Sequence, residues 1–215
     1  MIETRNLCRK LLLVLVSTAV YGAVLACWRS PRMALYVAVK LPMVFVLTTL
    51  IVSAFCWTVG VLLGANLRYG DVLDDVFSAM ATAGRILLAF APIVLFFILT
   101  GAPDTGTRDG LRFVHAGLMC VHLAVFGVAG SVGVIGLGRA LAPRVPSARR
   151  LVALIVLWLA SFALVGGQVG WALRPLVGSP NIAVAFVRAD ALESNILESV
   201  FSQIVPNLIN KGVRR

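Results

Sequence analysis

Eighteen consecutive residues, Leu11–Trp28, carry no charge. At about 1.5 Å of rise per residue, a helix of that length measures roughly 27 Å, close to the roughly 30 Å hydrocarbon core of a bilayer. Comparable apolar stretches recur further along, and the polar residues gather in clusters between them. The chain of 215 residues is 60% hydrophobic and 13% charged, against about 45–50% apolar and about 25% charged in soluble domains. Blocks of this kind are spans separated by loops; a soluble core shows amphipathic periodicity throughout. The class that follows is an all-α polytopic integral membrane protein forming one membrane domain.

Five spans are expected, over residues 11–28, 43–63, 79–100, 113–137 and 151–173. Between the first two, Arg29-Ser30-Pro31-Arg32 is a break, and Met33–Leu41 a short apolar stretch carrying Lys40. Pro42 suits a first helical turn, although one helix bent at Pro42 is equally allowed when neighbours satisfy the freed backbone groups. Asp71, Asp74 and Asp75 suit the N-terminal dipole of a helix. Val72, Val76, Phe77 and Met80 give that segment an apolar face on the membrane surface, feeding the third span. After the fifth span, Arg174-Pro175 and Gly178-Ser179-Pro180 forbid continuation of the helix. Residues 190–209 read as an interfacial amphipathic helix, with Leu192, Ile196, Val200 and Ile204 at every fourth position.

The net charge of +10 would raise nucleic acid in a soluble protein. Here the arginines flank spans, where they set topology and meet anionic head groups, and nucleic acid is not an expected partner. Cys8, Cys27, Cys56 and Cys120 stand singly, with no Cys-x-x-Cys pair, so neither a zinc site nor a disulfide framework is indicated. The basic start followed by an apolar run has the outline of a signal peptide. The run is long for one, and Ala26-Cys27-Trp28-Arg29 lacks a small-x-small cleavage site, so an uncleaved first span is expected.

The residues that stand out as sites are those of helix packing and of the membrane interface. The fourth span carries Gly127, Gly130, Ser131 and Gly133, small residues that let helices approach closely in lipid. Gly127 with Ser131 and Ala129 with Gly133 are small-xxx-small pairs, which makes this helix the expected centre of the bundle. His115 and His122 are two turns apart, about 10 Å, too far to share a metal readily. A proton relay or haem ligation is the functional reading, and a hydrogen bond from His122 to a neighbouring helix the bland one. Gln168 is expected to cross-link helices. Lys40 and Arg85 are expected at the interface, together with Arg149, Arg150, Arg174 and Pro175; Lys40 is to snorkel to a head group.

No reactive constellation is visible. Gly-x-Ser-x-Gly, His-Glu-x-x-His and Gly-x-x-x-x-Gly-Lys are absent. No acid lies inside an apolar block, which argues against an ion-coupled pump. Asp71-x-x-Asp74-Asp75 could hold a divalent ion beside a lipid head group, but lacks the second acidic motif that such chemistry needs. No cofactor is expected. The compact cluster Arg139, Arg144, Arg149 and Arg150 orients the chain with its N-terminus in the cytoplasm, and the arginine-rich, Ala/Val/Leu/Gly-rich composition suggests a bacterial inner membrane.

Val39-Lys40-Leu41-Pro42, Leu62-Leu63-Gly64, Ala89-Phe90-Ala91-Pro92-Ile93-Val94-Leu95-Phe96-Phe97 and the segment from Gly167 to Pro180 carry a resemblance. In this order they resemble the bacterial, Yip-like branch of the Ypt-interacting protein family. The resemblance implies five spans and a non-enzymatic role through partners. The long cytosolic N-terminal region typical of eukaryotic members is missing here, so a small-GTPase role does not carry over.

The expected function is a non-catalytic integral membrane subunit or scaffold, assembling with other membrane proteins or with itself and meeting anionic lipids. A small channel or carrier is the alternative, with Pro42, Pro92 and Gly166-Gly167 as helix breaks along a path. A lipid-modifying enzyme using Asp71 and Asp74 is a third.

Overall fold

The computed structural model describes residues 4–100, 108–177 and 184–187, together with Asn195 and Glu198. Five helices, each long and apolar enough to cross a membrane, follow one another: α1 (Thr4–Cys27), α2 (Pro31–Leu62), α3 (Tyr69–Thr100), α4 (Arg108–Leu141) and α5 (Ala148–Ala172). A short 3-10 turn, Ala142–Arg144, joins the last two. The described residues include no strand. The expected interfacial helix over 190–209 falls outside the described residues, apart from Asn195 and Glu198.

The helices are longer than the spans read from hydropathy. At about 1.5 Å per residue, the 32 residues of α2 and of α3 reach roughly 48 Å, well beyond the hydrocarbon thickness. Charged first turns therefore belong to the helices themselves and project into the head-group layer. Of the two readings allowed at Pro42, the continuous helix is the one that forms. The surface segment before the third span is the first turns of α3, and α2 runs unbroken through Pro42, as α3 does through Pro92. In water a mid-helix proline costs about 3 kcal/mol through its missing N–H and its clash with the preceding turn; inside a bundle, neighbouring groups offset much of this. Ser30 caps α2, its hydroxyl accepting from the N–H of Met33 at 3.1 Å, with Pro31 in the first turn. Ser147 caps α5 in the same way by accepting from Arg150.

The core is built on α1, which packs along both α2 and α3; α4 lies along α3 and α5 along α2, while α4 and α5 barely touch. Small residues decide this arrangement. A Cβ on Gly22 of α1 would stand 2.6 Å from the carbonyl oxygen of Val37, so only glycine lets α1 and α2 meet there. Gly84 of α3 is closed in the same way by the Ser17 side chain of α1. The expected centre, α4, is instead peripheral. Its inward stripe is Leu118, His122, Val125, Ala129, Gly133 and Leu137, spaced by threes and fours. Its outward stripe is apolar: Leu123 is 75% exposed beside His122 at 3%. Exposed leucine of this extent in a helix that long is what lipid, not water, accommodates.

The turn between α2 and α3 reverses at Gly64, whose φ of +76° disfavours any residue with a Cβ. It is tied to the α4–α5 turn by Asn66 N–H donating to the Arg144 carbonyl at 3.1 Å, and by the Arg150 guanidinium donating to the Leu63 carbonyl at 3.0 Å.

Gly22→Ala is expected to cost about 1–3 kcal/mol through overpacking at the α1–α2 contact, read as a lowered Tm of the detergent-solubilised protein. Gly117→Ala, with nothing within 4 Å of its Cβ position, should leave Tm unchanged; equal Tm values for the two variants would refute this account of the contact.

Candidate functional site

Because α4 and α5 diverge, an apolar groove of about 580 Å³ opens between them, floored by α2 and α3. Its walls include Phe45, Gly127, Gly130, Ile135, Trp158 and Phe162. Trp158 and Phe162 are one helical turn apart on α5, with ring centroids 5.3 Å apart. The α4 wall is smooth. Among the described residues a Cβ at Gly127 or Gly130 would meet nothing within 4 Å, whereas at Gly133 it would stand 3.1 Å from the Ala79 carbonyl of α3. The two small-xxx-small pairs thus serve different faces: Ala129 and Gly133 hold α4 on α3, and Gly127 and Ser131 border the groove. The Ser131 hydroxyl donates to the Gly127 carbonyl at 2.7 Å and is spent within its own helix. The indole N–H of Trp158, at 2% exposure, has no hydrogen-bond partner among the described residues. A buried donor left unpaired costs about 1–3 kcal/mol, so this one is poised for an acceptor that the described residues do not supply.

His122 lies away from the groove, in the core. Its Nδ1 and the Tyr21 hydroxyl of α1 are hydrogen-bonded at 2.9 Å, with the rings edge to face. Phe126 meets the same tyrosine edge to face at 5.5 Å. His115 sits instead against Trp28, 5.5 Å between ring centroids. The two histidines therefore serve two separate contacts between α1 and α4. Among the described residues no three of His, Cys, Asp and Glu come together in a cluster that could hold a metal ion.

Lys40 does not reach out to a head group. It is fully buried, and its ammonium donates to the Pro175 carbonyl at 3.1 Å and stands 5.1 Å from the centre of the Phe186 ring. The reason is the chain beyond α5, which turns back over the ends of α1 and α2. The Trp28 indole N–H donates to the Val177 carbonyl at 2.9 Å, and Tyr36 meets Phe186 edge to face. Pro175 is thus a partner of Lys40, a carbonyl free to accept once α5 has ended. Arg174 stacks on Trp171 at 4.0 Å, a cation–π contact. Gln168 is exposed near the end of α5, and Arg149 and Arg150 are exposed at its start. Arg85 is exposed midway along α3, beside the first turns of α1.

Two of the acids of α3 hold cations of the chain itself. Asp74 accepts from Lys10 of α1 at 2.6 Å, and Asp75 pairs with Arg144, whose guanidinium also donates to the Ala140 carbonyl. Asp74 and Asp75 thus tie α3 to α1 and to the α4–α5 turn respectively. Pro42, Pro92, Gly166 and Gly167 all lie inside continuous helices, so the helix breaks expected along a path do not form at these positions.

No family model, curated protein or solved structure matches this chain.

The groove aromatics were legible only in part. Trp158 and Phe162 at i and i+4 form an obvious aromatic face, but nothing local says that α4 stands away from it. Tyr21 as the partner of His122, 101 positions distant, has no sequence signal.

If Asp75 and Arg144 act as a pair, Asp75→Asn and Arg144→Gln should be non-additive in a double-mutant cycle on thermal unfolding, with a coupling of about 1 kcal/mol. Millimolar Mg2+ should leave the wild-type Tm where it is. Additive losses, or a Tm raised by Mg2+, would point to a cation site instead of a tie.

Proposed function

We propose that this chain is a non-catalytic integral membrane subunit that assembles with other membrane proteins by taking a transmembrane helix of a partner into the groove between α4 and α5. The observation that carries the reading is the bare glycine face of α4: Gly127 and Gly130 stand open to the groove. Lipid tails are as apolar as leucine, so helix association in a membrane depends on close packing and interhelical hydrogen bonds. Gly127 and Gly130 offer the first. Asp74 and Asp75 of α3 are committed to ion pairs, which favours a structural role over a metal-dependent one. The basic first turns of α1 lie at the same end as the arginines around the α4–α5 turn. That supports an N-terminus on the cytoplasmic face of a bacterial inner membrane, and five spans in this order support a place among Yip-like proteins.

The test is native electrophoresis after mild detergent extraction from the membrane in which the protein is made. Wild-type chain should migrate as an assembly larger than itself. Gly127→Leu with Gly130→Leu should release the single chain, and Gly117→Leu, outside the groove, should not. A wild-type chain that is monodisperse and alone, or an assembly indifferent to the groove substitutions, refutes the proposal.

A further inference from the structure

A second cleft, of about 590 Å³, lies between the first turns of α1 and the middle of α3, lined by Asn6, Arg9, Lys10, Leu12, Leu13, Val16 and Arg85. Its polar and apolar walls are segregated. Asn6, Arg9 and Lys10 occupy the end at the membrane surface, and Leu12, Leu13 and Val16 continue inward along α1. Arg85 comes from the other helix. Counting along α3 from Asp74, which holds Lys10 at 2.6 Å, Arg85 sits eleven residues deeper, about 16 Å at the helical rise. That approaches the middle of a roughly 30 Å hydrocarbon layer. Helical side chains lean toward the N-terminus of their own helix. α1 and α3 run parallel, so both arginines of the cleft lean toward its membrane-surface end.

A cation at this depth is costly, and is normally paired or buried against carbonyls. Arg85 is exposed, and neither it nor Arg9 has an ion pair or hydrogen bond among the described residues. Asp74, the carboxylate bound to a residue of this cleft among the described residues, is already held by Lys10. Among the described residues no carboxylate is left to balance Arg9 and Arg85, and the cleft joins that cationic end to a wall fit for an acyl chain.

We infer that this cleft is a binding site for an anionic glycerophospholipid, its phosphate held between Arg9 and Arg85 and one acyl chain laid along Leu12, Leu13 and Val16. A planar guanidinium donates two parallel hydrogen bonds to a phosphate, which makes arginine the better of the two basic side chains for this contact. Leu12, at 61% exposure, is the residue the acyl chain would cover. Lys10 contributes charge while staying tied to Asp74. The inference is independent of the groove between α4 and α5 and stands or falls separately from it.

Native mass spectrometry of the purified full chain with phosphatidylglycerol or phosphatidylcholine tests it. The wild type should retain phosphatidylglycerol in preference to phosphatidylcholine. Arg9→Gln with Arg85→Gln should weaken phosphatidylglycerol binding about tenfold or more, the loss of charge-assisted contacts to one phosphate. Arg85→Lys should keep part of the binding, and Arg139→Gln, an exposed arginine at the same end of the bundle, should keep all of it. Inorganic phosphate should not displace the lipid. Equal retention of the two lipids, equal loss in Arg139→Gln, or displacement by inorganic phosphate overturns the assignment. Because Arg9 and Arg85 are exposed, their variants should unfold at the wild-type Tm, so a loss of lipid reports the site.

Discussion

Hydrocarbon offers no hydrogen-bond partner, and every other feature of this molecule is arranged around that. The backbone satisfies itself in helices. Six hydroxyls inside the spans meet the same demand. Ser17 and Thr18 donate to the carbonyls of Leu13 and Val14, Thr49 to Phe45, Ser53 to Thr49, Ser78 to Asp74 and Thr82 to Ser78. Each hydroxyl returns to a carbonyl four residues earlier on its own helix. A serine or threonine so engaged is no reactive centre, and it can still pack as a small residue, as Ser17 does against Gly84. The few polar groups that look beyond their own helix are therefore informative. Lys40 reaches the Pro175 carbonyl, Tyr21 and His122 reach each other, and Trp28 reaches the Val177 carbonyl. These are the ties that hold α4 and the chain beyond α5 to α1 and α2.

Within lipid, apolar burial does not by itself draw helices together, so the helices that touch are those whose surfaces come closest. Gly22 against Val37 and Gly84 against Ser17 place α1 between α2 and α3; Gly133 against Ala79 adds α4. Only the last of these contacts coincides with an expected packing position. The fourth span carries small residues on several faces, and a helix rich in glycine all round does not declare which face its own chain will use. That choice depends on what stands opposite: Ala79 presents a carbonyl at the right height to Gly133, and none of the described residues reaches Gly127 or Gly130. The same abundance of glycine that suggested a central helix belongs to a peripheral one with a face to spare.

Hydropathy located the five helices well, because the cost of burying charge in hydrocarbon is local and additive along a span. It located their ends less well. The first turns of α1, α3 and α4 are polar or charged, and they stay helical because the head-group layer and the ion pairs of Asp74 and Asp75 support them. What depends on meetings between distant parts of the chain was not legible. Lys40 read as an interfacial lysine because its neighbours are apolar and its charge needs an outlet. The outlet is a carbonyl 135 positions away, and nothing near Lys40 announces it. Arg85 posed the same problem of a cation in an apolar helix and met the opposite fate: none of the described residues comes to it.

The two clefts therefore divide along α3. Met80, Ala83 and Leu87 line the groove between α4 and α5, while Arg85 lines the cleft beside α1. At about 100° per residue, Arg85 stands roughly 160° around the helix from Ala83 and from Leu87, and about 140° from Met80. One helix thus presents opposite faces to two openings. An occupant of either leaves the other uncovered, and neither reaches around α3 to meet its counterpart. Coupling between them would have to pass through α3 itself, which is pinned by Gly84 and Ser17 on the α1 side and by Ala79 and Gly133 on the α4 side. Close packing of that kind transmits a shift of the helix. A partner helix that pressed α3 toward α1 would narrow the cleft around Arg85, and a lipid wedged beside Arg85 would resist it.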